Sequence, residues 1–205
     1  MPATMMHLAA GYDLVPNASD AFLLGCILPD CVDKDRTTKD HLHFRDVLPQ
    51  IRLQAMITFT KENLDLNRDF DFGVLFHFYM DYLWDNGPQK SHRRAFEGET
   101  WFPEYRKELS RAGSSLAGRL PWTKEVLTRL DHCDPALYET KLPLPEKDIL
   151  EFLDFNCHWH TEVRLEESEA FPSDLVDSFL RRSRRAFYAF LQDFFPEFAH
   201  RAVNF

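Results

Sequence analysis

Apolar and polar positions follow a helical period along nearly the whole chain. Apolar side chains recur at spacings of three and four, and alternating β-branched runs are scarce. Glycine and proline fall mostly at the joints between apolar stretches. The pattern predicts an all-α protein, one bundle of about seven or eight helices forming a single domain over 1–205. The predicted helices cover about 3–14, 19–28, 44 or 49 to 64, 71–84, 101–116, 123–130, 146–166 and 173–194, with a polar loop at 31–40.

Composition narrows the class of protein. The chain has 205 residues, long enough for one well-filled core, and its 19 Phe, 6 Tyr and 4 Trp supply bulky rings for it. Neither a run of about 18 apolar residues nor a secretory signal is apparent, which predicts a cytoplasmic protein without a transmembrane segment. The four cysteines form no Cys-x-x-Cys pair and are expected to be reduced and buried. A formal net charge of −9 opposes binding to a nucleic-acid backbone.

The segment 72–85 carries the most chemical information. It is apolar or aromatic on nearly every side, except at Gly73, His77, Asp81 and Asp85, which are spaced by four. On a helix these positions share one face, so they predict a narrow polar stripe on a buried helix. Gly73 would allow a neighbouring segment to approach closely. A buried carboxylate at Asp81 needs a partner, because burial of an isolated charge costs several kcal/mol.

Two interpretations of this stripe remain open at this point. The ring nitrogen of His77 and the carboxylate of Asp81 can point at one cation, or they can form a hydrogen bond in the core or line a wet groove. Further candidate ligands come from separate segments, which is how helical bundles build metal sites: His7, Asp30, His43 and, on the apolar side of a later helix, His160. Imidazole with carboxylate suits zinc best, with manganese or iron as alternatives. Whether other residues bind metal is left undecided: His41, Asp85, His158 and Glu162.

Four pieces of the first 90 residues resemble a known family when taken in order. They are His7 within Met-His-Leu-Ala-Ala, Leu24-Gly25 leading to Pro29-Asp30, His43-Phe44, and His77-x-x-x-Asp81. Together they resemble the zinc-dependent phospholipase C family of the phospholipase C and single-strand nuclease superfamily.

The resemblance implies an all-helical bundle around clustered zinc ions that hydrolyses phosphodiesters with metal-bound water as the nucleophile. It implies ligand roles for His7, His43, His77 and Asp81, with Asp81 bridging two metals. Asp30 would be a ligand or the general base. The His that family members carry shortly after the bridging Asp is missing here, so we expect two zinc ions or one. The expected substrate is a small-molecule phosphoester.

Two other functions compete with this hydrolase hypothesis. The metal could stabilise a helical binding protein that has no catalytic activity. Alternatively, the chain is a metal-free interaction module whose aromatic-rich helix 173–194 and tail 198–205 contact a partner or form a homodimer.

Overall fold

The all-α prediction is confirmed. The computed structural model describes residues 3–32, 36–95 and 101–202, and these ranges contain helices and connecting turns but no strand. Ten α-helices follow one another: α1 Thr4–Leu14, α2 Asp20–Gly25, α3 Arg36–Leu42, α4 Arg52–Asn63, α5 Asp69–Asn86, α6 Pro88–Ala95, α7 Trp101–Arg119, α8 Thr123–Asp131, α9 Glu146–Glu162 and α10 Ser173–Phe194. Three short 3₁₀ turns cover Leu28–Asp30, Pro135–Tyr138 and Pro196–Arg201.

The predicted helices match the observed ones except near turns. The predicted loop at 31–40 is wrong in its second half, where α3 forms, and residues 33–35 lie outside the described part of the chain. Helix α2 stops at Gly25, and the chain continues to Asp30 as a 3₁₀ turn. Helix α6 was not predicted, because Gly87-Pro88 indicates a chain break; proline instead occupies the first position of the new helix, where its missing N–H costs nothing.

Helix α5 lies at the centre of the core. Its residues from Phe70 to Asp81 are all buried, including the polar ones. None of the helices in the described ranges is both long and apolar enough to cross a bilayer. The four cysteines are free, and Cys26, Cys31 and Cys157 are buried as predicted, whereas Cys133 is only partly buried.

Two glycines set the distance between α2 and α5. A Cβ added at Gly73 would lie 2.2 Å from the carbonyl oxygen of Phe22, and one added at Gly25 would lie 2.1 Å from the carbonyl oxygen of Phe70. The two helices therefore cross with their backbones in contact, which only glycine permits. The predicted close approach at Gly73 is confirmed, and it brings the C-terminal end of α2 against the polar stripe of α5.

Glu108 on α7 holds the segment that leads into α10. Its carboxylate accepts hydrogen bonds from Ser168 Oγ at 2.8 Å, from the backbone N–H of Ala170 at 3.1 Å and from Arg111 at 2.8 Å. Burial alone would raise the pKa of Glu108, but these hydrogen bonds lower it below its usual value. The ionised carboxylate therefore stabilises the folded chain.

We expect Glu108→Gln to lower the free energy of unfolding by about 1–2 kcal/mol near neutral pH, because the amide loses charge-assisted hydrogen bonds. Since the folded-state pKa is depressed, the contribution is present above the unfolded-state pKa and disappears as pH falls through the folded-state value. Urea denaturation at successively lower pH should show the two proteins converging. Glu104→Gln is the control, since that carboxylate is half-exposed and lies 4.0 Å from Lys107 Nζ. Equal losses of unfolding free energy in the two variants would contradict a stabilising role for the ionised Glu108.

Candidate metal centre

The polar stripe of α5 is buried rather than wet. His77 and Asp81 have no exposed surface, and Asp85 follows one turn later with a nearly buried carboxylate. The two ring nitrogens of His77 face Cys26 and His43. A hydrogen bond between His77 and Asp81, the simplest alternative to a metal site, is therefore not what the structure shows.

Four segments converge on this stripe. Helix α1 supplies His7, the 3₁₀ turn after α2 supplies Asp30, and the end of α3 supplies His43. Helix α5 supplies His77 and Asp81. Two overlapping groups of buried ligand atoms result: His7, His77 and Asp81, and Asp30, His43 and His77. Each group can hold a metal ion. Five of the six predicted ligand residues thus lie together.

The hydrogen bonds of two histidines determine which nitrogens can bind a cation. His77 Nδ1 lies 2.8 Å from the carbonyl oxygen of Cys26, and His43 Nδ1 lies 2.8 Å from that of Lys39. A carbonyl oxygen only accepts, so a proton is assigned to each Nδ1, and Nε2 is the nitrogen of each ring that remains for a cation. This is the arrangement that proteins use to orient metal-binding histidines.

The two Nε2 atoms face each other at a distance of 3.0 Å. Burial, followed by the nearby His7, lowers the pKa of His77 to about 3, so this ring is neutral near physiological pH. The proton of His77 is assigned to Nδ1, so its Nε2 lone pair points at His43 Nε2. A cation between the two Nε2 atoms could accept a lone pair from each ring.

Unsatisfied atoms mark the other side of the centre. Both ring nitrogens of His7 and Asp81 Oδ1 are buried and have no hydrogen-bond partner within the described part of the chain, which is uncommon for buried polar atoms. His7 Nε2 lies 3.3 Å from Asp81 Oδ1, and His43 Nε2 lies 3.4 Å from Asp30 Oδ1. Ligands about 2.0–2.1 Å from a tetrahedral zinc ion are separated by about 3.3 Å. The spacing and chemistry of these donors therefore fit zinc.

Cationic side chains surround the carboxylates. Arg45 donates to Asp81 Oδ2 at 2.6 Å and to Asp85 Oδ2 at 3.0 Å, and Arg52 donates to the same Asp85 oxygen at 2.9 Å. Burial opposes ionisation of Asp81, but the Arg45 guanidinium contributes to holding its pKa well below the usual value. Asp85 is thus a counter-ion of two arginines.

The end of α3 places His43 and Arg45 by an unusual turn. The N–H of Arg45 bonds to the carbonyl of Asp40, and the N–H of Phe44 bonds to that of His41, the pattern of a Schellman motif. Phe44 has a φ of 56°, at the position that glycine normally occupies. Its ring packs against Phe59 and Phe78, which compensates a backbone cost of about 1 kcal/mol or more.

Three residues near the centre were missed by the sequence analysis: Lys39, Arg45 and Arg52. Lys39 lies in the stretch predicted as a loop, and its Nζ is 3.2 Å from Asp30 Oδ1. Lys39 lies four residues before His43, so the two side chains share one face of a helix. This spacing would have placed Lys39 near the site once a helix was recognised there. Arg45 lies two residues after His43, but the turn that directs it toward Asp81 has no simple sequence signal.

The predicted ligand His160 lies outside both groups of ligand atoms. Its ring is buried against Gly113 because α9 packs on α7 and α8. The undecided histidines are also elsewhere: His41 is exposed and pairs with Asp46, and His158 is exposed and pairs with Asp154. Glu162 is exposed as well.

A cleft of about 580 Å³ adjoins the candidate centre, because Asp30 is part of its lining. Lys39 lines it beside Asp30, and Phe152, Phe155 and His160 line it from α9. Of the five converging residues, Asp30 is the one in the lining, so a small molecule in the cleft would lie next to the second ligand group.

Comparisons with known proteins identify no relative. No protein-family model, curated protein or solved structure matches the chain. The resemblance to zinc-dependent phospholipases C therefore stays a prediction, and any assignment of function rests on the residues and their geometry.

Proposed function

We propose that this protein is a metal-dependent hydrolase of phosphoesters. The single observation that carries the proposal is the pair of Nε2 atoms of His43 and His77, which face each other at 3.0 Å in the buried interior with both Nδ1 protons engaged elsewhere. The open cleft beside Asp30 favours catalysis over a purely structural metal site. The resemblance to the zinc-dependent phospholipase C family points to the same chemistry.

The arrangement favours two zinc ions. His77 Nε2 belongs to both groups but can bind only one ion, so each ion needs further donors. Asp81 can connect the groups, since Oδ1 lies 3.3 Å from His7 Nε2 and Oδ2 lies 3.6 Å from His43 Nε2. His7 and Asp81 would hold one ion, and Asp30 and His43 the other, with His77 completing one of the two sets.

The protein's own groups complement what the metal supplies. A bound divalent cation activates water and neutralises charge on phosphoryl oxygens. Asp30 is buried, yet Lys39 and His43 help to hold its pKa well below the usual value, so its carboxylate is ionised and can accept a proton or orient a water molecule. Arg45 keeps Asp81 ionised as a ligand. The apolar core around α5 excludes bulk water from these groups.

A second function is favoured by the burial of the donors. His7, His77 and Asp81 have no exposed surface, as in sites where a metal only connects helices. In that case the metal would stabilise a binding protein that lacks catalytic activity. Turnover, rather than metal content, distinguishes the two functions.

The test combines metal analysis with turnover. Protein purified without chelators should contain zinc, and it should hydrolyse bis(4-nitrophenyl) phosphate or 4-nitrophenyl phosphate in a chelator-sensitive manner. His77→Ala should lower metal content and turnover together, turnover by at least about 100-fold, because the shared donor is lost. His41→Ala removes an exposed imidazole on the neighbouring helix and should retain both properties.

Full metal occupancy without turnover of either ester would support the metal-stabilised binding protein instead. Absence of metal from the wild-type protein, with unchanged stability on addition of zinc, would favour the interaction module. Equal loss of metal in His77→Ala and His41→Ala would mean that the buried centre is not the binding site.

A further inference from the structure

The cleft beside Asp30 has an aromatic wall. Phe152, Phe155 and Trp159 all line it and belong to one helix, α9. Phe155 is 64% exposed, which is high for a phenylalanine. A solvent-exposed ring beside other rings offers an apolar platform on which a flat organic group can stack.

A buried polar group on the same helix also lacks a partner. His160 is 4% exposed and is among the residues that line the cleft, and its buried Nδ1 has no hydrogen-bond partner among the described residues. The imidazole therefore adds an unsatisfied polar group to the α9 wall, separate from the metal-ligand groups.

Charged side chains of both signs line the cleft. Lys39 Nζ lies 3.2 Å from Asp30 Oδ1, beside the second ligand group. Arg106 on α7 and Asp148 and Glu151 on α9 line the cleft as well. A phosphoryl group directed toward Asp30 leaves the rest of a substrate facing the aromatic side chains of α9.

We infer that the cleft binds phosphoesters that carry a flat aromatic group, with the phosphoryl group toward Asp30 and the ring on Phe155 and Trp159. This inference rests on the proposed function for the position of the phosphoryl group. It adds the substrate class and assigns specificity to α9, outside the segments that resemble a known family.

The test uses phosphonates, which mimic the ester but resist hydrolysis. Titration calorimetry with the zinc-loaded full-length protein should show phenylphosphonate binding at least about tenfold more tightly than methylphosphonate. Phe155→Ala should reduce this ratio by about three- to tenfold, because it removes the exposed ring without opening the core. Leu150→Ala is the matched control, since that side chain is also on α9 and 51% exposed but does not line the cleft.

The outcomes separate this inference from the proposed function. Equal binding of the two phosphonates, or an unchanged ratio in Phe155→Ala, would overturn the inference even if zinc-loaded protein hydrolyses 4-nitrophenyl phosphate. A ratio that depends on Phe155 but not on Leu150 would support it, even if no ester were turned over. Binding that depends on Phe155 without any turnover would therefore contradict the proposed hydrolase activity but not the inference about the cleft.

Discussion

Gly73→Ala is expected to destabilise the protein by about 3 kcal/mol, although the same change normally stabilises a helix by about 1 kcal/mol. The new methyl group would lie 2.2 Å from the carbonyl oxygen of Phe22 and 3.0 Å from Gly25 Cα, so α2 and α5 must separate. Both contacts are backbone atoms, which cannot move aside as a flexible side chain can. Urea denaturation followed by circular dichroism measures the loss.

Gly118→Ala is the matched control for this prediction. Gly118 also lies within a helix, but it is exposed, and an added Cβ would meet only the flexible Arg164 side chain at 3.6 Å. That substitution should leave stability unchanged or raise it by up to about 1 kcal/mol. If both alanines change stability in the same direction, the close crossing at Gly73 is not a determinant of the fold.

The close crossing also matters for the metal centre. It brings the carbonyl oxygen of Cys26, at the end of α2, to 2.8 Å from His77 Nδ1. In a continuous α-helix this carbonyl would accept from the N–H of Asp30. It is available to His77 because that N–H bonds to the carbonyl oxygen of Ile27 instead. Separation of α2 from α5 would therefore release the ring that the carbonyl orients, and Gly73→Ala should weaken zinc binding as well.

Asp81→Asn is expected to weaken zinc binding by at least about 100-fold, because it removes the charge of the donor that reaches both ligand groups. In excess zinc, a 100-fold loss of affinity corresponds to about 2.7 kcal/mol of zinc-dependent stability. Arg45 retains its bond to Asp85, so the guanidinium still has a buried partner in the variant. Thermal unfolding with zinc and with chelator should thus show a large zinc-dependent rise for wild type and little for the variant.

Asp46→Asn provides the comparison for this second prediction. Its carboxylate bonds to His41 at 2.7 Å, but both side chains are exposed. The zinc-dependent rise in melting temperature should be that of the wild-type protein. A similar rise in Asp81→Asn would show that zinc binds elsewhere, for example at the exposed group of Asp131, Asp154 and His158.

Much of the candidate site could be predicted because its central part is local. His77 and Asp81 are one helical turn apart, so their common face follows from helix geometry alone. Gly73 lies on that face one turn earlier, and its close packing was expected. The ring of His160 also lies on the predicted apolar side of its helix, but no local rule states which neighbour that side contacts.

The sequence by itself determined the helical class, the buried position of α5 and the polar stripe on it, because these depend on periodicity within one segment. Only the tertiary structure decided that His7, Asp30 and His43 join this stripe while His160 lines the cleft. It also decided that Asp85 pairs with Arg45 and Arg52. Such choices depend on how helices cross and how turns such as the one at Phe44 redirect the chain, and these are set by packing between distant segments.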